Sequence, residues 1–280
     1  MPTLYIVSTP IGNLEDITLR ALRVLGEVGL IAAEDTRVTR RLLARYEIDT
    51  PLTSYHEHNK LAKIPELVSR LEEIDIALVS DAGTPGVNDP GQELVSAAAA
   101  QGYDVIGIPG PSAVTTAISL SGIAMEGFIY LGFLPRKQGQ RKRLLESAVS
   151  EGRALVMFET PHRLRSALSD ALSVLGDRQL AVCRELTKLY EEVFRGTISE
   201  SLDHFGNPRG EFTLVISGAT TADENAPIMD PRPMLEGLHG QRVSARDAVA
   251  QTSEATGLGR RELYRIWIDI TKESDYHPPV

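Results

Sequence analysis

The 280-residue sequence is first defined by what it lacks. It has one cysteine, Cys183, which excludes intrachain disulfides and a cysteine-based zinc site. In Leu180-Ala181-Val182-Cys183 that thiol reads as a buried strand residue. No apolar run approaches the roughly 18 to 20 residues of a membrane span. The opening Met1-Pro2-Thr3-Leu4-Tyr5-Ile6-Val7 lacks the basic and small-residue segments of a signal peptide and leads into a strand. A soluble, cytoplasmic protein is expected. G-x-G-x-x-G does not follow the first strand, where Thr9-Pro10-Ile11-Gly12 stands instead, and this disfavours a nicotinamide dehydrogenase. The P-loop pattern and the G-x-S-x-G elbow are also missing. His56 and His58 have neither zincin spacing nor other metal-site company, so no metal is expected.

The net charge of −9 argues against a general polyanion coat. The positive charge is clustered, however: Arg37, Arg40, Arg41 and Arg45; Arg136, Lys137, Arg141, Lys142 and Arg143; Arg260, Arg261 and Arg265. Each cluster reads either as a solvated face or as a local phosphate contact. With 42 % apolar residues the chain has enough material for proper cores.

Over the first ~120 residues strand and helix signals alternate. Strands are expected at Leu4 to Ser8, Leu30 to Ala33, Asp75 to Ser80 and Asp104 to Ile108, with helices between them. This order predicts a mainly parallel sheet covered on both faces, with a ligand site beyond the carboxyl ends of its strands. From Phe128 strands predominate, and the succession from Leu180 to Phe194 predicts a hairpin and hence a mixed sheet. The fold class is therefore α/β. The expected division is an N-terminal α/β domain 1–121, a second α/β domain 122–218, a linker 219–238 and a small helical domain 239–280. The tail pattern fits either a docking helical pair or a loose helix-turn-helix.

Three glycine- and proline-bearing segments fall at the predicted strand ends: Thr9-Pro10-Ile11-Gly12-Asn13, Ser80-Asp81-Ala82-Gly83-Thr84-Pro85 and Pro109-Gly110-Pro111-Ser112-Ala113. Gly83 lets the backbone approach a ligand, Pro85 stiffens the loop, and Asp81 can accept from an ammonium or hydroxyl group. No Lys or Arg lies within the middle loop, which suits a small zwitterion better than a triphosphate. Ser112 either caps the following helix or leaves its N-terminus to a carboxylate.

These segments, together with Ala33-Glu34-Asp35-Thr36-Arg37, resemble the tetrapyrrole methylase superfamily. Gly132-Phe133-Leu134-Pro135, Phe158-Glu159-Thr160-Pro161-His162-Arg163, Arg184-Glu185-Leu186-Thr187-Lys188 and Gly210-Glu211-Phe212 are similar to its ribosomal branch, the small-subunit (16S) rRNA (cytidine-2′-O)-methyltransferases. The resemblance spans about residues 3 to 218. It implies a cleft between two domains that holds S-adenosylmethionine, a homodimer, and 2′-O-methylation of a cytidine ribose in the decoding region of small-subunit rRNA. The cofactor residues it implies are Pro10, Gly12, Asp81, Ala82, Gly83, Thr84, Pro85, Ser112 and Ala113, with backbone near Met157 and Phe158 approaching the adenine.

A ribose hydroxyl needs a base, and Asp35, Glu159 and Lys188 are expected to be catalytic, in that order. For Asp35 the competing reading is a helix cap with an ion pair. His162 occupies a matching segment as well. RNA contacts are expected at Arg37, Arg40, Arg136, Lys137 and Arg141, on rRNA or an assembled small subunit. The alternatives are a methyltransferase acting on a tetrapyrrole or other small molecule, and a non-catalytic RNA-binding module.

Overall fold

A computed structural model describes residues 2–219, 231–241, 243–256 and 259–274. The chain divides into two compact units, Met1–Gly218 and Ala219–Val280.

The first unit contains two five-stranded sheets. The first is built from β1 (Thr3–Val7), β2 (Leu30–Ala33), β3 (Leu52–Ser54), β4 (Ile76–Val79) and β5 (Asp104–Ile108) in the order β3-β2-β4-β1-β5. Every pairing in it is parallel. β2 and β4 read LIAA and IALV and are buried at every position, as expected for central strands covered on both faces. The crossovers are α1 (Leu19–Glu27), α2 (Thr36–Arg45), α3 (Lys60–Arg70) and α4 (Gln92–Ala100). Apolar side chains fill the two sides of the sheet separately, around Val7, Leu25 and Ile31 on one and Leu4, Tyr55 and Leu78 on the other. β3 was not expected from the sequence. It is a three-residue, half-buried edge strand, too short to show an alternating pattern.

After α5 (Ala113–Ser121) comes the second sheet: β6 (Phe128–Phe133), β7 (Ala154–Glu159), β8 (Gln179–Arg184), β9 (Glu192–Thr197) and β10 (Phe212–Ile216). Its order is β6-β7-β10-β8-β9, with β6 and β7 parallel and the remaining pairs antiparallel. This is the mixed sheet that the β8–β9 hairpin predicts. α6 (Gln138–Glu146), α7 (Pro161–Leu175) and α8 (Ile198–His204) complete it. α7 starts on a proline at its first turn, where no N–H is needed. α8 starts on a reciprocal cap between Thr197 and Glu200.

In the second unit the expected linker is partly a helix. Residues 220–230 lie outside the described residues, but Pro231–Gly240 forms α9. A proline at the first position and glycine at the last suit a short helix as well as they suit a linker. α10 (Ala245–Thr256) and α11 (Arg260–Ser274) match the expected pair, and Leu235, Ala248, Leu263 and Trp267 form the common core. Arg242 and the turn at 257–258, as well as the side chains of Arg260 and Arg261, lie outside the described residues.

Candidate functional site

The carboxyl ends of β1, β2, β4 and β5 all release their chains at one edge of the first sheet, and hydrogen bonds join the resulting loops. Thr9 and Gly83 form a two-way backbone bridge, with N–O distances of 2.9 and 3.0 Å. Gly83 has φ +84°, a conformation that costs a side-chain-bearing residue energy, which explains glycine at this turn. The Ser8 and Thr84 hydroxyls lie 2.7 Å apart, and the Ser8 N–H donates to Ile108 O. Between the β2 and β4 loops the exchange is reciprocal: Asp35 N–H donates to Asp81 Oδ1 at 2.9 Å, and Asp81 N–H to Glu34 Oε2 at 3.2 Å.

The loops are also fastened to the second sheet. Asn88 Nδ2 donates to the Tyr130 hydroxyl at 2.6 Å. Beside it Gly132, at φ +63° in a bulge of β6, leaves room for the Asn88 amide; a Cβ there would stand 2.8 Å from Asn88 Oδ1. On the other side the Asn13 N–H donates to Thr187 Oγ1 at 3.0 Å, and Gly12 packs against Lys188.

These clasps enclose a cavity of about 360 Å³, a size suited to a small-molecule ligand. The first sheet lines it with Glu34, Asp81, Ala82, Gly83, Thr84 and Asp89, and α5 contributes Ser112 and Ala113. Phe133, Phe158, Glu159, Cys183 and Thr213 come from the second sheet, Phe158 making edge-to-face contacts with Tyr130 and Phe133. The Ser112 side chain makes no capping bond to α5, so capping is not its role. Without a side-chain cap, the N–H groups of that first turn are available to a carboxylate.

Acidic groups dominate the cavity electrostatics. Glu34, Asp81, Asp89, Glu159 and Glu211 line it, and among the described residues no Lys, Arg or His does. Burial, reinforced by Glu34 and Asp81, pushes Asp89 from its ordinary 3.8 to about 6. Burial likewise raises Glu34, Asp81 and Glu159, against the opposing N–H bonds from Asp81, Asp35 and Thr160 respectively. Burial also raises Cys183 to about 11, which keeps it a thiol and leaves it a wall residue, not a nucleophile. A net-cationic ligand would relieve the crowded carboxylates. S-adenosylmethionine, with its ammonium and sulfonium charges, fits this donor set, and its carboxylate matches the free turn of α5.

A second cavity of about 540 Å³ adjoins the first and shares Ile11, Asp81, Ala82 and Glu211 with it. Pro10, Gly12, Leu14, Val38, Arg41 and Lys188 form part of its remaining wall. Burial opposes the charge on Lys188, but bonds to Glu211 at 2.8 Å and Glu185 at 3.0 Å outweigh it and raise the ammonium's pKa.

Several sequence expectations are corrected by these positions. Asp35 lines neither cavity. It caps α2 by accepting from Arg37 N–H at 2.8 Å and pairs with the Arg37 guanidinium, which pulls it down to about 2. A carboxylate so firmly ionised is a weak base, and the residue before it, Glu34, is the one at the cavity. Arg141 is not a surface cation. It is 4 % exposed and bound to Asp170 at 2.5 Å, with Nη1 donating to Pro135 O and Arg136 O. The Met157 side chain is buried in the core on the far face of β7, while its neighbour Phe158 faces the cavity, which leaves the expected backbone approach at Met157 unaffected. Pro85 is buried and lines neither cavity, and Pro10 and Gly12 belong to the second. Arg37, Arg40, Arg136, Lys137 and His162 are exposed and line neither. The sequence reading missed Glu34, Asn88, Asp89 and Phe133, all of which lie within or next to the quoted motifs.

Residues 3–201 match the sequence profile of the family described as Tetrapyrrole (Corrin/Porphyrin) Methylases. The chain is 45 % identical over 275 residues, 96 % of its length and 99 % of the relative's, to a protein of Synechocystis sp. named ribosomal RNA small subunit methyltransferase I. A Thermotoga maritima protein of the same name is 50 % identical over 221 residues, covering 78 % of this chain and 99 % of that one. Among solved structures, uroporphyrin-III-C-methyltransferase from Thermus thermophilus shares the fold with TM-score 0.54 at 21 % identity, covering 87 % of this chain and 100 % of its own. Diphthine synthase does so with TM-score 0.58 at 14 % identity, covering 77 % and 90 %. Sequence match, sheet architecture and acidic cleft agree: the chain belongs to the tetrapyrrole methylase family and is a methyltransferase that takes its methyl group from S-adenosylmethionine.

Proposed function

We propose that this enzyme methylates the ribose 2′-hydroxyl of a cytidine in the decoding region of small-subunit rRNA. The observation that carries the reading is the 45 % identity, over nearly the whole of both chains, to a relative named for small-subunit rRNA methylation. S-adenosylmethionine supplies an electrophilic methyl group on a sulfonium centre. In this reading Asp81 and Asp89 bind the cationic end of that donor. Gly83, Thr84, Ser112 and Ala113 shape the pocket around its methionine and ribose parts, and Phe158 covers the adenine. The protein's main contribution is to hold donor and acceptor in line. Glu159, buried with its pKa raised, is the better-placed base of the original three. Lys188, held charged by two carboxylates, serves as a cation and not as a base. Arg37, Arg40, Arg136 and Lys137 lie on the surface, where phosphates of a large RNA particle can reach them.

The protein is further proposed to be a homodimer working in the cytoplasm, where ribosomal subunits are modified. Among the described residues no helix is long and apolar enough to cross a membrane. Light scattering at micromolar concentration tests the dimer, and a monomeric mass removes it.

The decisive experiment offers the enzyme labelled donor together with small subunits from cells lacking the enzyme, naked small-subunit rRNA, or uroporphyrinogen. Label is expected on a cytidine ribose of the ribosomal substrate, located by nuclease digestion and mass spectrometry. Label on a base, or on uroporphyrinogen alone, overturns the proposal.

A further inference from the structure

The two adjoining cavities differ in charge in a way that assigns them different ligands. The first has five carboxylates and, among the described residues, no cation in its wall. The second contains Arg41 and Lys188 beside the shared carboxylates of Asp81 and Glu211. Lys188 is largely neutralised by Glu185 and Glu211. Arg41, exposed on α2, makes no ion pair with any described residue, and its charge stands uncompensated at the rim. A polyanion is therefore repelled more strongly from the first cavity than from the second, where the exposed Arg41 offers it a contact. Leu14 and Val38, 38 % and 41 % exposed, give the second cavity apolar surface of the kind on which a sugar or base can lie.

We propose that this second cavity receives the methyl acceptor as a single-stranded ribonucleotide, with Arg41 bound to a phosphate flanking the target residue. The inference rests on the functional reading above and deepens it. The ribose then meets the donor pocket across the shared wall of Ile11, Asp81, Ala82 and Glu211. Arg41 has the geometry for this role, because a guanidinium presents paired donors to phosphate oxygens. A duplex is too wide for a space of about 540 Å³, so the nucleotide enters unpaired.

The test is fluorescence anisotropy with a short cytidine-containing oligoribonucleotide and the full chain saturated with S-adenosylhomocysteine, over a series of salt concentrations. Arg41→Ala is expected to weaken binding by about five- to tenfold and to reduce the log–log salt slope by about 0.7, the value for one phosphate on a single strand. Val38→Trp, which fills the cavity without changing charge, is expected to weaken binding by a similar factor at unchanged slope. Arg45→Ala, on the same helix but outside the cavity, changes binding less than twofold. Calorimetry with S-adenosylhomocysteine stays within twofold of wild type for all three and confirms that the variants are folded. Wild-type affinity in both Arg41→Ala and Val38→Trp overturns the inference, as does a wild-type protein that fails to bind the oligoribonucleotide at low salt. Intact rRNA methylation alongside unaffected variants removes this cavity assignment and leaves the function standing. Variant-sensitive RNA binding without rRNA methylation does the reverse.

Discussion

The two sheets of the first unit contribute to the same cleft in different ways. The parallel sheet acts through its edge. Its strands are buried on both faces, so its chemistry lies in the loops leaving their carboxyl ends, which carry Glu34, Asp81 and Asp89. The mixed sheet acts through a face, and alternate residues of β7 divide between core and cleft: Met157 inward, Phe158 to the cavity. Charge is managed differently too. In the second lobe the Arg141–Asp170 pair is sealed inside, whereas in the first the Asp35–Arg37 pair lies on the surface with the arginine side chain 86 % exposed. Similar-looking charged residues therefore hold the fold together in one lobe and only finish a helix end in the other.

Breaking the buried pair should have the largest effect. Arg141→Ala leaves the buried Asp170 carboxylate with only Gln138 Nε2 at 2.9 Å and Lys142 Nζ at 3.8 Å, and is expected to cost about 3 kcal/mol of unfolding free energy, read from urea denaturation. The double variant Arg141→Met with Asp170→Leu should recover most of that loss. A single variant as stable as wild type would refute the structural role of the pair.

The next effect concerns the face of the second sheet. Phe158→Ala removes a cavity wall and its contacts with Tyr130 and Phe133, and about tenfold weaker S-adenosylmethionine binding is expected by calorimetry. Unchanged affinity would mean that the face does not touch the donor.

A smaller effect tests the edge of the first sheet. Asp89 titrates near 6 in the folded protein, above its ordinary 3.8, so the folded state holds the extra proton between those values. Its contribution to stability is therefore complete below about pH 4 and is lost as pH rises through about 6, by on the order of 1 kcal/mol after allowance for solvent screening. A cationic donor needs the ionised form, so donor affinity should fall several-fold as pH drops through 6. Asp89→Asn should flatten both dependences. A pH profile that keeps its wild-type shape in this variant would remove Asp89 from the site.

The smallest effect is expected at the exposed pair. Asp35→Asn preserves a capping side chain, and methyl transfer should change less than twofold. A large loss of turnover at unchanged donor affinity would restore Asp35 as a catalytic residue and overturn its assignment as a cap.

Much of this was legible in the residues. The alternation through Ile108 announced a parallel sheet, and the hairpin from Leu180 announced a mixed one. The three glycine-proline loops follow strand signals in the sequence, and the structure forms its two cavities at that edge. β3 was missed because three residues carry no period, and α9 because its prolines and glycines resemble a linker. The site was less legible than the fold. Glu34 and Asp35 are adjacent acids at the end of one strand, and only the hydrogen bonds that turn one into the cleft and the other onto its own helix distinguish them.

By itself the sequence determined the fold class, the family and the loops that line the acidic cavity, because hydrophobic period, turn chemistry and motif order can be read along the chain. The tertiary structure alone decided which charges are buried, which carboxylates share a cavity, and that an arginine with no ion pair among the described residues borders a second cavity beside it. Those properties depend on distances between residues far apart in the chain. Burial and neighbouring charge set the chemistry of an ionisable group, and both arise only when the two sheets close on each other.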